Sequence, residues 1–162
     1  MASILGISLK VKHLGLAVLT DGELIEFRVR TFYGVWTPEK RRDILRTIRK
    51  MDERHEVSAI VVKTPKPTHC SRRILNLMRG IEKFAKDHGI KLTLCTITEL
   101  TKQYSGKERC TKQTLIQAIL QKYPHHKKLA ELYAKERSNR NSYHVKIFEA
   151  IACAELAQRT EQ

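Results

Sequence analysis

The sequence predicts an α/β fold: a mixed five-stranded sheet, three antiparallel strands and then two parallel ones, flanked by helices in a single domain over residues 1–162. Three observations lead there. Apolar, β-branched runs separated by short turns crowd the stretch up to Phe32. Two further apolar runs each follow an amphipathic helical stretch, the βαβ pattern that makes strands parallel. The last third carries helical periodicity alone. A chain of 162 residues is long enough to bury one sizeable core.

Ser3–Leu9 and Leu14–Leu19 read as the first two strands, with Gly15 assigned to the hairpin between them, and the Asp21-Gly22 turn leads into Leu24–Phe32. Thr37-Pro38-Glu39 supplies an N-cap hydroxyl, a first-turn proline and an acid facing the helix dipole. Ile44, Leu45, Ile48 and Met51 follow at helical spacing. Val57–Val62 is a continuous apolar run, as a buried strand requires. Thr64-Pro65-Lys66-Pro67 breaks the chain. Ile74, Leu75, Leu77, Met78, Ile81 and Phe84 then mark a second amphipathic helix that Gly89 ends, and Ile90–Cys95 is the fifth strand. Thr96 with Glu99 predicts a capping box on a short helix reaching Tyr104. A basic, glycine-containing loop, Ser105–Cys110, precedes helices over Thr111–Tyr123, His125–Arg137 and Ser142–Gln158.

Charge is the most informative part of the composition. Lys and Arg number 31 against 17 Asp and Glu, a formal net charge of +14. Such an excess draws polyanions, and against nucleic acid it gives a salt-dependent affinity through counterion release. No apolar run reaches the ~20 residues of a membrane span, and the N-terminus lacks the apolar length and cleavage site of a signal peptide. A cytoplasmic protein with no membrane partner is the expectation. Cys70, Cys95, Cys110 and Cys153 are widely spaced and contain no C-x-x-C pair, so four reduced structural thiols are expected. The seven histidines contain no H-x-x-x-H pair and read as structural or solvated. Phe32, Tyr33 and Trp36 read as core packing or a dimer contact rather than base-stacking residues.

The strand and helix order matches the ribonuclease H-like fold, and four short motifs carry a family resemblance. Ile4-Leu5-Gly6-Ile7-Ser8-Leu9-Lys10 through Gly15 resembles the opening strand and turn of RuvC-type Holliday-junction resolvases and their YqgF-like relatives. Ala59-Ile60-Val61 resembles the A-I-E of their fourth strand. Lys102–Lys112 is similar to their K-x-x-x-x-G-x-G-x-A-x-K stretch, keeping Lys102, Gly106 and Lys112. Glu149-Ala150-Ile151-Ala152 resembles the D-A-L-A of the last helix. The resemblance spans nearly the whole chain and implies a metal-dependent nuclease ancestry, nucleic acid as partner with DNA favoured over RNA, and a homodimer.

That chemistry needs a cluster of carboxylates holding two Mg²⁺ or Mn²⁺ ions. Carried over position by position, the acids fall on Ser8, Val61, Lys146 and Glu149, of which only Glu149 is acidic. No catalytic residue is therefore assigned and no cofactor is expected. Glu149 and Glu108 are the weak metal candidates should cleavage survive. Ser8 has no acid-oriented base and no nucleophile elbow. Glu26 lies mid-strand with Arg28 and Arg30 as its expected partners.

The expected phosphate contacts are Lys10 and Lys12 in the first hairpin turn; Lys63, Lys66, Arg72 and Arg73 around the proline-rich break; and Lys102, Lys107, Arg109 and Lys112 around Gly106. Lys63, just past the fourth strand, is placed near the vacated acid site, where an ammonium would do for an approaching phosphate what carboxylates need a metal to do. The reading of function that follows is a catalytically degenerate relative binding branched or duplex nucleic acid through phosphates. Two others stand beside it: an active structure-selective nuclease of junction DNA or structured RNA with relocated carboxylates, and a protein-interaction module on an idle scaffold.

Overall fold

The computed structural model describes residues 2–160 except 11, 33–34, 67–69, 105–110 and 140–143, with backbone alone at 135–139. Five strands, β1 (Ser3–Leu9), β2 (His13–Thr20), β3 (Glu23–Thr31), β4 (Val57–Lys63) and β5 (Lys91–Cys95), form one sheet in the order β3-β2-β1-β4-β5. The β1–β2 and β2–β3 pairs are antiparallel, and β1–β4 and β4–β5 are parallel, as the sequence predicts. The upper edge of the sheet is the end where β1, β4 and β5 finish.

Six helices cover the sheet: α1 (Pro38–His55), α2 (Arg72–Asp87), α3 (Ile97–Lys102), α4 (Lys112–Lys122), α5 (Lys127–Asn139) and α6 (Val145–Thr160). Thr37 caps α1 by accepting the Lys40 N–H. Alternation along β1 sorts the two cores. Leu5, Ile7 and Leu9 meet Ile44, Ile48 and Met51 of α1 and Ile74, Leu77, Ile81 and Phe84 of α2. Ile4 faces the other way, toward α6 and α4. All seven residues of β1 are buried because helices cover both faces.

α6 lies on that second face, with every residue from Lys146 to Glu155 buried. It is seated unusually close. A Cβ on Gly6 would stand 1.9 Å from the Ala150 carbonyl oxygen, and one on Gly15 would stand 2.1 Å from the Lys146 carbonyl oxygen. Gly15 therefore is not a turn residue. It pairs with Ser8 inside β2, and the hairpin turn falls between Leu9 and His13. What it supplies is room for a helix backbone.

Two other local expectations are revised. Thr96 caps α3 by accepting the Glu99 N–H, but the reciprocal box forms at α4, between Thr111 and Thr114. Glu26 does not pair with Arg28 or Arg30. It receives Arg54 at 2.7 Å and His55 at 2.6 Å from the end of α1, because β3 lies beside that helix end. Phe32 is buried in the α1/α2 core with Trp36 packed on it, and Tyr33 lies outside the described residues. No described helix is long and apolar enough to cross a membrane.

Gly6→Ala and Gly15→Ala should each destabilise the fold by about 2–4 kcal/mol, since backbone rather than a flexible side chain must move. Urea unfolding measures this, and a midpoint unchanged by Gly15→Ala would contradict the seating of α6.

Candidate nucleic-acid interface

The close seating of α6 sets the geometry of the upper edge. Ser8 and Lys63 are parallel register partners at the ends of β1 and β4. From across the face, α6 presents Glu149, which has no exposed surface. Lys63 Nζ lies 2.7 Å from Glu149 Oε2, and Lys146 Nζ lies 2.6 Å from Oε1. The Ser8 hydroxyl donates to Oε1 at a longer 3.5 Å. Lys146 precedes Glu149 by three residues, which places both on one helix face. A buried lysine–carboxylate–lysine cluster thus occupies the place where the resemblance puts metal-binding acids.

Its electrostatics follow from burial and pairing. Burial alone would raise the Glu149 carboxyl, but the ammonium groups of Lys146 and then Lys63 outweigh it and hold the acid below its usual range. Burial lowers Lys146, Glu149 opposes that, and Lys63 and Lys10 push it down further, to about 8. Two cations share one anion, so positive charge is left over.

That surplus faces a cleft of about 620 Å³ lined by Leu9, Lys10, Lys63, Thr64, Pro65, Lys66, Thr96, Ile97, Thr98, Lys112 and Lys146. Five of these are lysines and three are threonines, with no carboxylate among them. Of the residues singled out from the sequence, Lys10, Lys63, Lys66 and Lys112 therefore converge. Lys12, Arg72, Arg73 and Lys102 are exposed but do not line the cleft, and Lys107, Glu108 and Arg109 lie outside the described residues. Val61 is buried in the core. The residue in register with Ser8 is Lys63, two positions further on.

Sequence reasoning missed three features. Lys146 was seen as a lost acid, not as a cation in the site, although its spacing to Glu149 was legible. The threonine hydroxyls of the cleft had no motif. Cys95 and Cys153 come within 3.8 Å of each other, buried, beside the cluster: Cys95 is the register partner of Lys63, and Cys153 stands one turn beyond Glu149. Burial pushes the Cys153 thiol well up, which keeps it protonated and inert.

The donor set does not fit a two-Mg²⁺ centre. Hard divalent ions need several oxygen ligands, and both oxygens of the one carboxylate already carry an ammonium partner. Among the described residues, no group of three or more His, Cys, Asp or Glu could hold a metal ion.

Removing one member of a buried ion cluster strands the others, at about 3–5 kcal/mol. Glu149→Gln should cost this much at neutral pH, leaving Lys63 and Lys146 buried without their counter-charge. A folded carboxyl below its unfolded value stabilises fully above the unfolded value and loses that contribution as pH falls through the folded one. The gap between wild type and Glu149→Gln should therefore narrow in the acid limb of a guanidinium stability profile. A constant gap would show that Glu149 does not titrate with folding.

No protein-family model matches the chain, and no curated protein sequence matches it. Solved structures do. RuvC of Thermus thermophilus superposes with a TM-score of 0.74 at 14% identity, covering 98% of this chain and 96% of that one. It is also solved in complex with a Holliday junction substrate. The Fowlpox virus resolvase in complex with Holliday junction DNA gives 0.61 at 12%, covering 98% of each chain. The yeast mitochondrial Holliday junction resolvase Ydc2 gives 0.62 at 12%, covering 94% of this chain and 76% of that one. At these identities the likeness speaks to architecture: the chain has the ribonuclease H-like fold shared by RuvC-type resolvases.

Proposed function

We propose that this protein binds branched or duplex DNA by its phosphates, in the lysine cleft, without a metal ion and without cutting. The observation that carries this reading is the Lys63–Glu149–Lys146 cluster opening into a cleft that, among the described residues, is lined by five lysines and no carboxylate. Structural neighbours solved with Holliday junctions support the choice of nucleic acid as ligand.

The physical logic is a replacement of charge carriers. In a carboxylate-lined site a phosphate is repelled until metal ions reverse the sign. Here the sign is positive from the start, since Lys63 and Lys146 are held by Glu149 and both line the cleft. Fixed ammonium groups neutralise phosphate and orient the backbone. They do not activate water, because they have no open coordination position and no bound hydroxide to deliver. Base edges have few partners in a cleft lined by lysine and threonine, so the contacts position the backbone rather than read sequence. Lys146 stays buried at the base of the cleft and acts through its field, while Lys10, Lys66 and Lys112 reach the ligand.

A four-way DNA junction should bind equally in EDTA and in Mn²⁺, with no cleavage product in either. Each phosphate neutralised should contribute a slope of about −0.9 to log affinity against log salt. Lys63→Met should weaken binding at least tenfold. Cleavage in Mn²⁺ that Glu149→Gln abolishes would overturn the proposal in favour of an active nuclease. Affinity should also fall as pH rises through about 8, where Lys146 loses its proton. Lys146→Met should bind more weakly at pH 7 and lack that step.

A further inference from the structure

The cleft uses only part of the positive charge. We propose that the outer faces of α1 and α2 form a second phosphate-binding surface, which holds a further duplex segment of the nucleic acid engaged at the cleft. The inference rests on the cleft reading for the identity of the ligand and is tested separately from it.

Three observations carry it. First, the cations are aligned. Arg42, Arg46 and Arg49 recur at i, i+4 and i+7 on α1, and Arg72, Arg79, Lys83 and Lys86 recur at helical spacing on α2. All seven are exposed. Second, six of the seven have no ion-pair partner among the described residues, the exception being Arg46, which meets Asp43 at 3.1 Å. Acids bound the stripes without standing between their cations: Glu39 and Glu53 continue the α1 row at its two ends, and Asp43, Glu82 and Asp87 lie beside the rows. Third, the helices sit side by side. Gly80 of α2 is packed against Arg41 and Leu45 of α1, and Arg41 donates to the Asn76 carbonyl. The two stripes therefore form one surface.

That surface starts at the same edge of the sheet as the cleft. α1 and α2 both start at the upper edge, and Arg72 opens α2 six residues beyond Lys66 of the cleft. From Arg72 to Lys86 the α2 stripe runs about 21 Å, the length of about six base pairs of duplex. The lower edge is richer in acids: its groove is lined by Asp21, Glu23, Glu53 and Glu56, and the Arg54 and His55 that also line it are engaged by Glu26. A polyanion is thus favoured at the upper edge and along the helices and repelled below. Regularly spaced guanidinium groups suit a phosphate backbone, which they bind with little sequence preference.

The test is a quadruple variant, Arg42→Gln, Arg49→Gln, Arg79→Gln and Lys83→Gln, compared with Lys63→Met on a four-way DNA junction. Affinity is measured from 50 to 300 mM salt, and thermal melts confirm that the quadruple variant and Lys63→Met are both folded at the assay temperature. The quadruple variant should lose at least tenfold in affinity at about 100 mM salt, with its salt slope shallower by about 3 to 4. A wild-type slope and affinity in the quadruple variant would overturn the second surface. Loss in the quadruple variant with wild-type binding by Lys63→Met would keep the second surface and overturn the cleft. Loss in Lys63→Met alone would do the reverse.

Discussion

A carboxylate with no exposed surface, held between two ammonium groups, governs the upper edge of this molecule. Glu149 could not remain ionised in that position alone, because desolvation would neutralise it. Lys146 could not remain charged there without Glu149. Each group is tolerable only because of the others, so the cluster is a constraint on packing as well as a source of field. It requires that α6 lie close enough to the sheet for its side chains to meet the ends of β1 and β4.

Gly6 and Gly15 satisfy that requirement. They let the backbone of α6 take the space where side chains would otherwise stand, and the alanines of α6 follow the same logic from the helix side. The chain of cause runs from two glycines to the depth of a helix, from that depth to a three-charge contact, and from the contact to the sign of a cleft. Surplus positive charge then has a direction: into the space bounded by Lys10, Lys66 and Lys112.

The strands and helices were legible because their signals are local. Alternation, apolar runs, Thr37-Pro38 and Gly89 each act within a few residues, and the observed elements follow them. What was not legible depended on distant segments meeting. Gly15 read as a turn residue because its partner is the Lys146 carbonyl, far along the chain. Glu26 was assigned to neighbouring arginines, whereas the fold brings it Arg54 and His55. The acid positions that the resemblance implies fall on one carboxylate, Glu149, and the sequence did not say what stands around it. Lys63 was placed near the site from its position after β4. That Lys146 would pair with the surviving acid needed the helix to be set against the sheet.

The central claim is that the two ammonium groups stand in for metal ions. Side-chain NMR of the lysine Nζ and Glu149 carboxylate groups tests it most directly, during titration first with Mg²⁺ and then with junction DNA in EDTA. The account predicts that Mg²⁺ leaves the Glu149 and Lys63 resonances unmoved and that DNA shifts Lys63 and Lys146 without metal. A Mg²⁺-dependent shift at Glu149, with DNA inert until the metal is added, would contradict it.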